Sequence, residues 1–207
     1  MTEAALPRTT KASGPAVPVI VEQRVGPPAA LWGMGILIAS EGTLFICLVA
    51  SYFYLRFETH PWPPDGIAPP RVAIPLIMTA ILVATSVPMQ LAWRAAQAGR
   101  LAAARLALVC ALVVQAGYLA YEIHDFQDQL NRVAVTRDAY TSAYYVLLGA
   151  DHAHVALGIL FDVWLLGKLA RGLTTYRVNA AQAIMWYWHF VNVVTIIVIG
   201  TLLSANV

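Results

Sequence analysis

Five apolar runs of roughly 20 or more residues leave this chain few folds to choose from: Leu31 to Phe57, Val72 to Ala96, Leu101 to Ile123, Tyr140 to Ala170 and Asn179 to Leu203. A helix rising about 1.5 Å per residue needs about 20 residues to cross a hydrocarbon core about 30 Å thick. No water is at hand in that core for backbone N–H and C=O groups, so each run must close its own hydrogen bonds as an α-helix. The expected fold is all-α, an integral membrane bundle of five transmembrane helices over residues 31–207. Composition agrees: 59% of residues are hydrophobic and 12% charged, against roughly 25% charged in a soluble domain.

Residues 1–30 are rich in Pro and Ala, hold no sustained period and read as a disordered cytoplasmic tail. Cys47 and Cys110 each sit alone in an apolar run and suit packing better than a disulfide or a Cys-rich metal site. Pro75 and Pro88 should kink the second span, with Thr79, Thr85 and Ser86 at hand for the freed carbonyls.

The basic residues set a direction. Nine of the 13 Lys and Arg residues fall on one side: Arg8, Lys11, Arg24, Arg94, Arg100, Arg105, Lys168, Arg171 and Arg177. Arg56, Arg71, Arg132 and Arg137 fall on the other. The excess predicts a cytoplasmic N-terminus and an outer C-terminus. The net charge of +2 is a sum over two faces and gives no reason to expect a nucleic-acid partner.

Against this apolar background, the buried acids and histidines stand out. Glu41 comes about 15 Å from the inner end of its helix, Asp151 about 17 Å from the outer end of the fourth, and His189 about 15 Å from the inner end of the fifth. All three lie near the midplane, with His154 one turn deeper than Asp151. At about 100° per residue, Tyr144, Asp151, His154, Gly158 and Asp162 share a sector of the fourth span roughly 80° wide. The fifth span repeats the pattern with Gln182, Met185, His189, Asn192 and Gly200, and the third with Gln115, Tyr118 and Glu122. An ionised acid at this depth costs roughly 2.5 to 3.5 kcal/mol or more, so such groups need partners, a bound proton or an inward face. We expect a buried polar network of Glu41, Asp151, His154, His189 and Asn192, with Glu41 inside the bundle, hydrogen-bonded to His154, and His189 or Asp151 close by. Glu122, Gln115, Tyr118 and Asp162 are secondary positions.

A haem or metal centre on this chain alone does not fit. His152 and His154 are about 200° apart around a helix and cannot grip one metal, and His60 and His124 lie in or beside outer loops. His154 and His189 are too few for a bis-histidine haem plus a copper, and no CxxCH motif appears. Neither a catalytic centre, a metal nor a bound cofactor is expected on this chain. Gly149, Gly158, Gly167 and Gly200 would let backbones approach closely. Trp62, Trp186 and Trp188 suit either interfacial anchoring or ordinary packing.

Several ordered motifs now resemble one family, subunit III of the haem-copper terminal oxidases, in its five-helix bacterial form. "ASEGTLFICLVASYFYLR" resembles the first helix of that form, with Glu41 on its buried carboxylate, and "PWPP" the loop after it. "YE" at Tyr121 and Glu122, "GADHAHVALG" and "MWYWHFVNVV" follow in the family's order, so that the resemblance covers about residues 31 to 204. Asp151 stands where the family's first histidine is usual, and Asn192 where "YWHFV" is usually followed by Asp. The two N-terminal helices of the seven-helix forms are lacking, so the resemblance does not carry over a lipid cleft wholly within this chain and leaves open one shared with another subunit.

What the resemblance implies is a core subunit of a bacterial cytochrome c oxidase in the cell membrane. It would pack on subunit I, and with subunit II, and support proton translocation and the reduction of oxygen to water. Haem and copper are then expected in the partner subunits, and phospholipid is the ligand this chain itself would bind. The alternatives are a related accessory protein of a nitric oxide reductase or quinol oxidase, and a small proton or ion transporter.

Overall fold

The structure is a computed structural model and describes residues 28–206. Its elements are α1 (Ala29–Glu58), α2 (Ala73–Ala84), α3 (Ser86–Gln97), α4 (Leu101–Arg132), α5 (Ala139–Leu169), α6 (Thr175–Leu203) and a closing 3-10 turn, Ser204–Asn206. With α2 and α3 taken as one broken span, five segments are long and apolar enough to cross a membrane, and the described residues hold no strand. Of the expected tail only residues 28–30 are described, and α1 already begins at Ala29. The rest of the tail, with Arg8, Lys11 and Arg24, lies outside the described residues.

Two helices outrun their apolar runs. α4 continues past Ile123 to Arg132, and α6 starts at Thr175 rather than Asn179. Hydropathy marks only the part of a helix suited to lipid, whereas the backbone stays helical until something stops it. α5 has explicit stops at both ends. Asp138 accepts the Thr141 N–H at 2.8 Å while the Thr141 hydroxyl accepts the Asp138 N–H at 3.2 Å, a reciprocal cap. At the far end Arg105 donates to the Leu169 carbonyl from Nε at 3.1 Å and from Nη2 at 2.6 Å. Gly172 follows at φ +98°, a left-handed position that reverses the chain at little steric cost.

Only one of the two prolines breaks the second span. Pro75 lies in the first turn of α2, where its missing N–H would have no helical acceptor in any case. Pro88 lacks an N–H and crowds the carbonyl of Ala84, and the helix breaks between them at Thr85. The Thr85 hydroxyl donates to the Leu82 carbonyl at 2.5 Å and that of Thr79 to the Pro75 carbonyl at 2.8 Å. Ser86 does not join them and faces α6.

α6 is the centre of the bundle, packed against α1, α2, α3 and α5, while α4 lies on α2, α3 and α5. α1 touches only α5 and α6 among the helices, and its two faces differ accordingly. Trp32, Ile36, Ile46, Tyr54 and Phe57 are 63% to 74% exposed and fall within a stripe about 80° wide along the whole helix. Phe45 and Tyr52 are buried on the opposite side, the side of Glu41. Arg56 donates to the Ser204 hydroxyl at 2.8 Å and Arg137 to the Asp65 carbonyl at 3.2 Å, which joins the loops and the C-terminus at one end.

Candidate functional site

Glu41 and His154 meet across the α1–α5 seam. His154 Nε2 lies 3.0 Å from Glu41 Oε2, and its Nδ1 lies 2.7 Å from the carbonyl of Ala150 in its own helix. A carbonyl only accepts, so Nδ1 carries a hydrogen and donates. One further proton is therefore shared between Nε2 and Oε2, as imidazolium with carboxylate or imidazole with carboxylic acid. Either way the pair is neutral overall, which answers the cost of an acid at this depth. The edge of Phe45 packs on the imidazole, with ring centroids 4.8 Å apart. Glu41 is not enclosed as expected from sequence: its side chain is 29% exposed and that of His154 12%, because only α5 and α6 cover α1.

A second pair occupies the opposite flank of α5. His152 Nε2 stands 3.4 Å from Glu122 Oε2 of α4, close enough for an ion pair but without the alignment of a hydrogen bond. Two residues along a helix turn the side chain by about 200°, which is why one histidine faces α1 and the other α4. Sequence reasoning uses that angle to exclude a shared metal and therefore misses His152. The same angle, with an acid available on each side, was the signal for two separate pairs.

The expected single network is divided. Asp151, fully buried, accepts from the Thr195 hydroxyl of α6 at 2.8 Å through Oδ1, and Oδ2 has no partner. His189 does not approach Glu41. Its Nε2 donates to Gln90 Oε1 at 3.4 Å, and Ser86 Oγ, 3.3 Å from its Nδ1, also accepts from Asn192 Nδ2 at 2.6 Å. Asp162 is fully buried beside Gln115 of α4, yet no hydrogen bond closes between them. Tyr118 is buried on α4 near Glu122 and Asp151. A stripe 80° wide at the sequence level thus serves α1, α4 and α6, because α5 is packed against all three.

The break in the second span is where α6 takes hold. Trp188, 1% exposed, donates from Nε1 to Thr85 Oγ1 at 2.8 Å. Its ring fills the hollow at Gly158, where a Cβ would come within 2.7 Å of Cζ3. Gly158 thus admits a side chain and not a neighbouring backbone, and a Cβ at Gly167 or Gly200 would have nothing within 4 Å. Trp188 is a packing residue, whereas Trp186 is 39% exposed. Thr85→Val keeps the shape of the side chain but leaves the buried indole N–H without an acceptor. We expect a loss of about 1–3 kcal/mol, seen as a lower unfolding midpoint of the purified protein. Thr79→Val, which removes only a bond within its own helix, should cost less.

Among the described residues no three His, Cys, Asp or Glu side chains converge as a metal would need. A cavity of about 460 Å³ opens at the end of the bundle carrying the C-terminus, lined in part by Arg71, Glu122, Asp125, Gln129, Arg132 and Tyr144.

The family described as cytochrome c oxidase subunit III matches residues 28–203. The chain is 30% identical over 171 residues to the quinol oxidase subunit 3 of Bacillus subtilis (strain 168), covering 80% of this chain and 82% of that protein. It is 30% identical over 175 residues to a probable cytochrome c oxidase subunit 3 of Nocardia farcinica, covering 82% and 85%. With the cytochrome c oxidase subunit 3 of Lumbricus terrestris it shares 27% over 172 residues, 80% of this chain and 66% of that one. The match takes in all five spanning segments and both carboxylate–histidine pairs: this chain belongs to the cytochrome c oxidase subunit III family and is a multi-pass membrane subunit of a haem-copper oxidase complex.

Proposed function

We propose that this chain packs on subunit I of a bacterial plasma-membrane oxidase, together with subunit II, and sustains oxygen reduction and proton translocation without a haem or copper of its own. The observation that carries this reading is the family match over residues 28–203. The uncovered apolar stripe of α1 supports it, since a helix so little covered by its own chain must meet lipid or another subunit. Bound phospholipid belongs to the same reading. The nine-to-four distribution of Lys and Arg orients the N-terminus to the cytoplasm. The Bacillus relative, named for a quinol oxidase, favours a second donor besides cytochrome c.

Purification of the intact complex tests the proposal. The chain should travel with a haem-bearing subunit, and the complex should oxidise either reduced cytochrome c or a quinol. One tightly held haem per isolated chain, or ion transport by the chain reconstituted alone, would overturn it. In a variant lacking Cys47 and Cys110, a cysteine at Asp128 should react with an impermeant reagent in intact cells and one at Arg100 should be protected. The reverse pattern would invert the orientation.

A further inference from the structure

α6 is the centre of the bundle and yet is not closed over. α1 flanks it on one side and α2 and α3 on another, and among the described residues α1 makes no contact with α2 or α3. Between them α6 lies open along a strip: Trp186, Val193, Ile196, Ile197 and Gly200 are exposed, Val193 at 55%. With the partly exposed His189 they fall within a sector about 100° wide. A Cβ at Gly200 would meet nothing within 4 Å, so another backbone has room to approach there. The apolar members of the strip suit lipid tails. His189, at midplane depth, does not, and neither do its partly exposed neighbours Ser86 and Gln90 on α3. With Nε2 of His189 donating to Gln90 Oε1 at 3.4 Å, its Nδ1 accepts the Ser86 hydroxyl at 3.3 Å, and both bonds are long. Two polar atoms are left over. The Gln90 nitrogen makes no hydrogen bond to a described residue, and Asn192, 4% exposed, gives Nδ2 to Ser86 at 2.6 Å and leaves Oδ1 without a partner. Lipid satisfies neither the spare donor nor the spare acceptor. Among the described residues no Asp, Glu, Lys or Arg bonds to this cluster, so a charged group brought against it would go unpaired, whereas a neutral carboxamide or hydroxyl can both accept and donate.

We propose that a spanning helix of the haem-bearing subunit lies along this strip of α6, between α1 and α3, and sets an Asn, Gln, Ser or Thr side chain against Gln90 and His189 at mid-depth. That side chain accepts from the Gln90 amide and gives the cluster a neighbour that its own chain does not supply. Such a helix presupposes the reading above, that the chain packs on a haem-bearing subunit; the strip decides which face meets it and by what chemistry. The Glu41–His154 pair takes no part, since it lies in the seam between α1 and α5.

Photocrosslinking in the intact complex tests the proposal. The photoreactive residue p-benzoylphenylalanine in place of Val193 should join this chain to a spanning segment of the haem-bearing subunit, with an Asn, Gln, Ser or Thr within one turn of the attachment point. The same probe in place of Leu106, 67% exposed on α4, should not. Attachment to that subunit from Leu106 but not from Val193 would overturn the placement while leaving the packing on the subunit intact. Attachment of the probe at Val193 to lipid alone, to a second copy of this chain, or to a segment without such a polar residue would overturn it in the same way. If no haem-bearing subunit accompanies the chain, the packing itself fails and the proposal with it. Gln90→Leu tests the chemistry. Leucine suits both lipid and a helix interface, so the unfolding midpoint of the isolated chain should fall little, while the subunit should leave the complex in detergent roughly 3- to 20-fold faster, the range that one hydrogen bond between membrane helices spans. Release no faster than that of the wild type would overturn the pairing, whatever the midpoint does.

Discussion

Gly158→Ala is expected to destabilise the bundle by about 2 to 5 kcal/mol, combining overpacking with a strained Trp188–Thr85 hydrogen bond. The added methyl would lie 2.7 and 2.8 Å from Trp188 Cζ3 and Cε3, distances that real contacts do not sustain. Trp188 has no room to retreat, being 1% exposed and tied at 2.8 Å to Thr85 Oγ1. To relieve the clash the indole must pull away from the break between α2 and α3. Unfolding of the purified protein in detergent should show a large drop in midpoint. Gly167→Ala is the matched control: a Cβ there meets nothing within 4 Å, and the change should be neutral or gain up to about 1 kcal/mol of helix propensity. Because the clash is with the ring, Trp188→Phe should cost less in the Gly158→Ala background than alone, a coupling that a double-mutant cycle measures. Equal stability of the two alanine variants would remove Gly158 as the socket for Trp188.

The second large effect is expected at Glu41. Its partner His154 already commits Nδ1 to the Ala150 carbonyl at 2.7 Å, so passing a proton through the ring would mean giving up that bond. The pair is therefore expected to act as a lock between α1 and α5. Glu41→Gln can donate an amide hydrogen to the Nε2 lone pair of neutral His154 and should preserve both subunit retention and oxygen reduction. Glu41→Ala leaves Nε2 without its partner, at about 1 to 3 kcal/mol, on a helix held by only two others. The subunit should be lost more readily from the complex in detergent, with turnover falling as it leaves. A Glu41→Gln complex that keeps the subunit but takes up protons slowly would show that the acid itself carries protons. Normal turnover and retention in both variants would leave Glu41 with neither role.

Much of the architecture is legible in the sequence, because lipid restricts the choices. A run such as Leu31 to Phe57 has to be a helix wherever it packs, and Glu41 within it has to find a partner or a proton. Depth and phase were enough to bring Glu41 and His154 to one level. They were not enough to divide Asp151, His154 and Asp162 among neighbours, since a shared sector says nothing of how many helices meet it. Pro75 and Pro88 looked equivalent in sequence and were not, because one lies in a first turn and the other in mid-span.

The chain's own chemistry thus determined how many spanning segments there are, how long their lipid-suited parts run, which residues cannot face lipid, and the family. Helical periodicity and the cost of burying polar groups act within one segment and need no knowledge of its neighbours. Only the tertiary structure decided who pairs with whom: His154 with Glu41, His152 with Glu122, Asp151 with Thr195, and Trp188 with both Gly158 and Thr85. Those choices follow from placing α6 at the centre, with α5 between α1 and α4. That arrangement arises from the fit of side chains across helices that lie far apart in sequence, and no single helix encodes it.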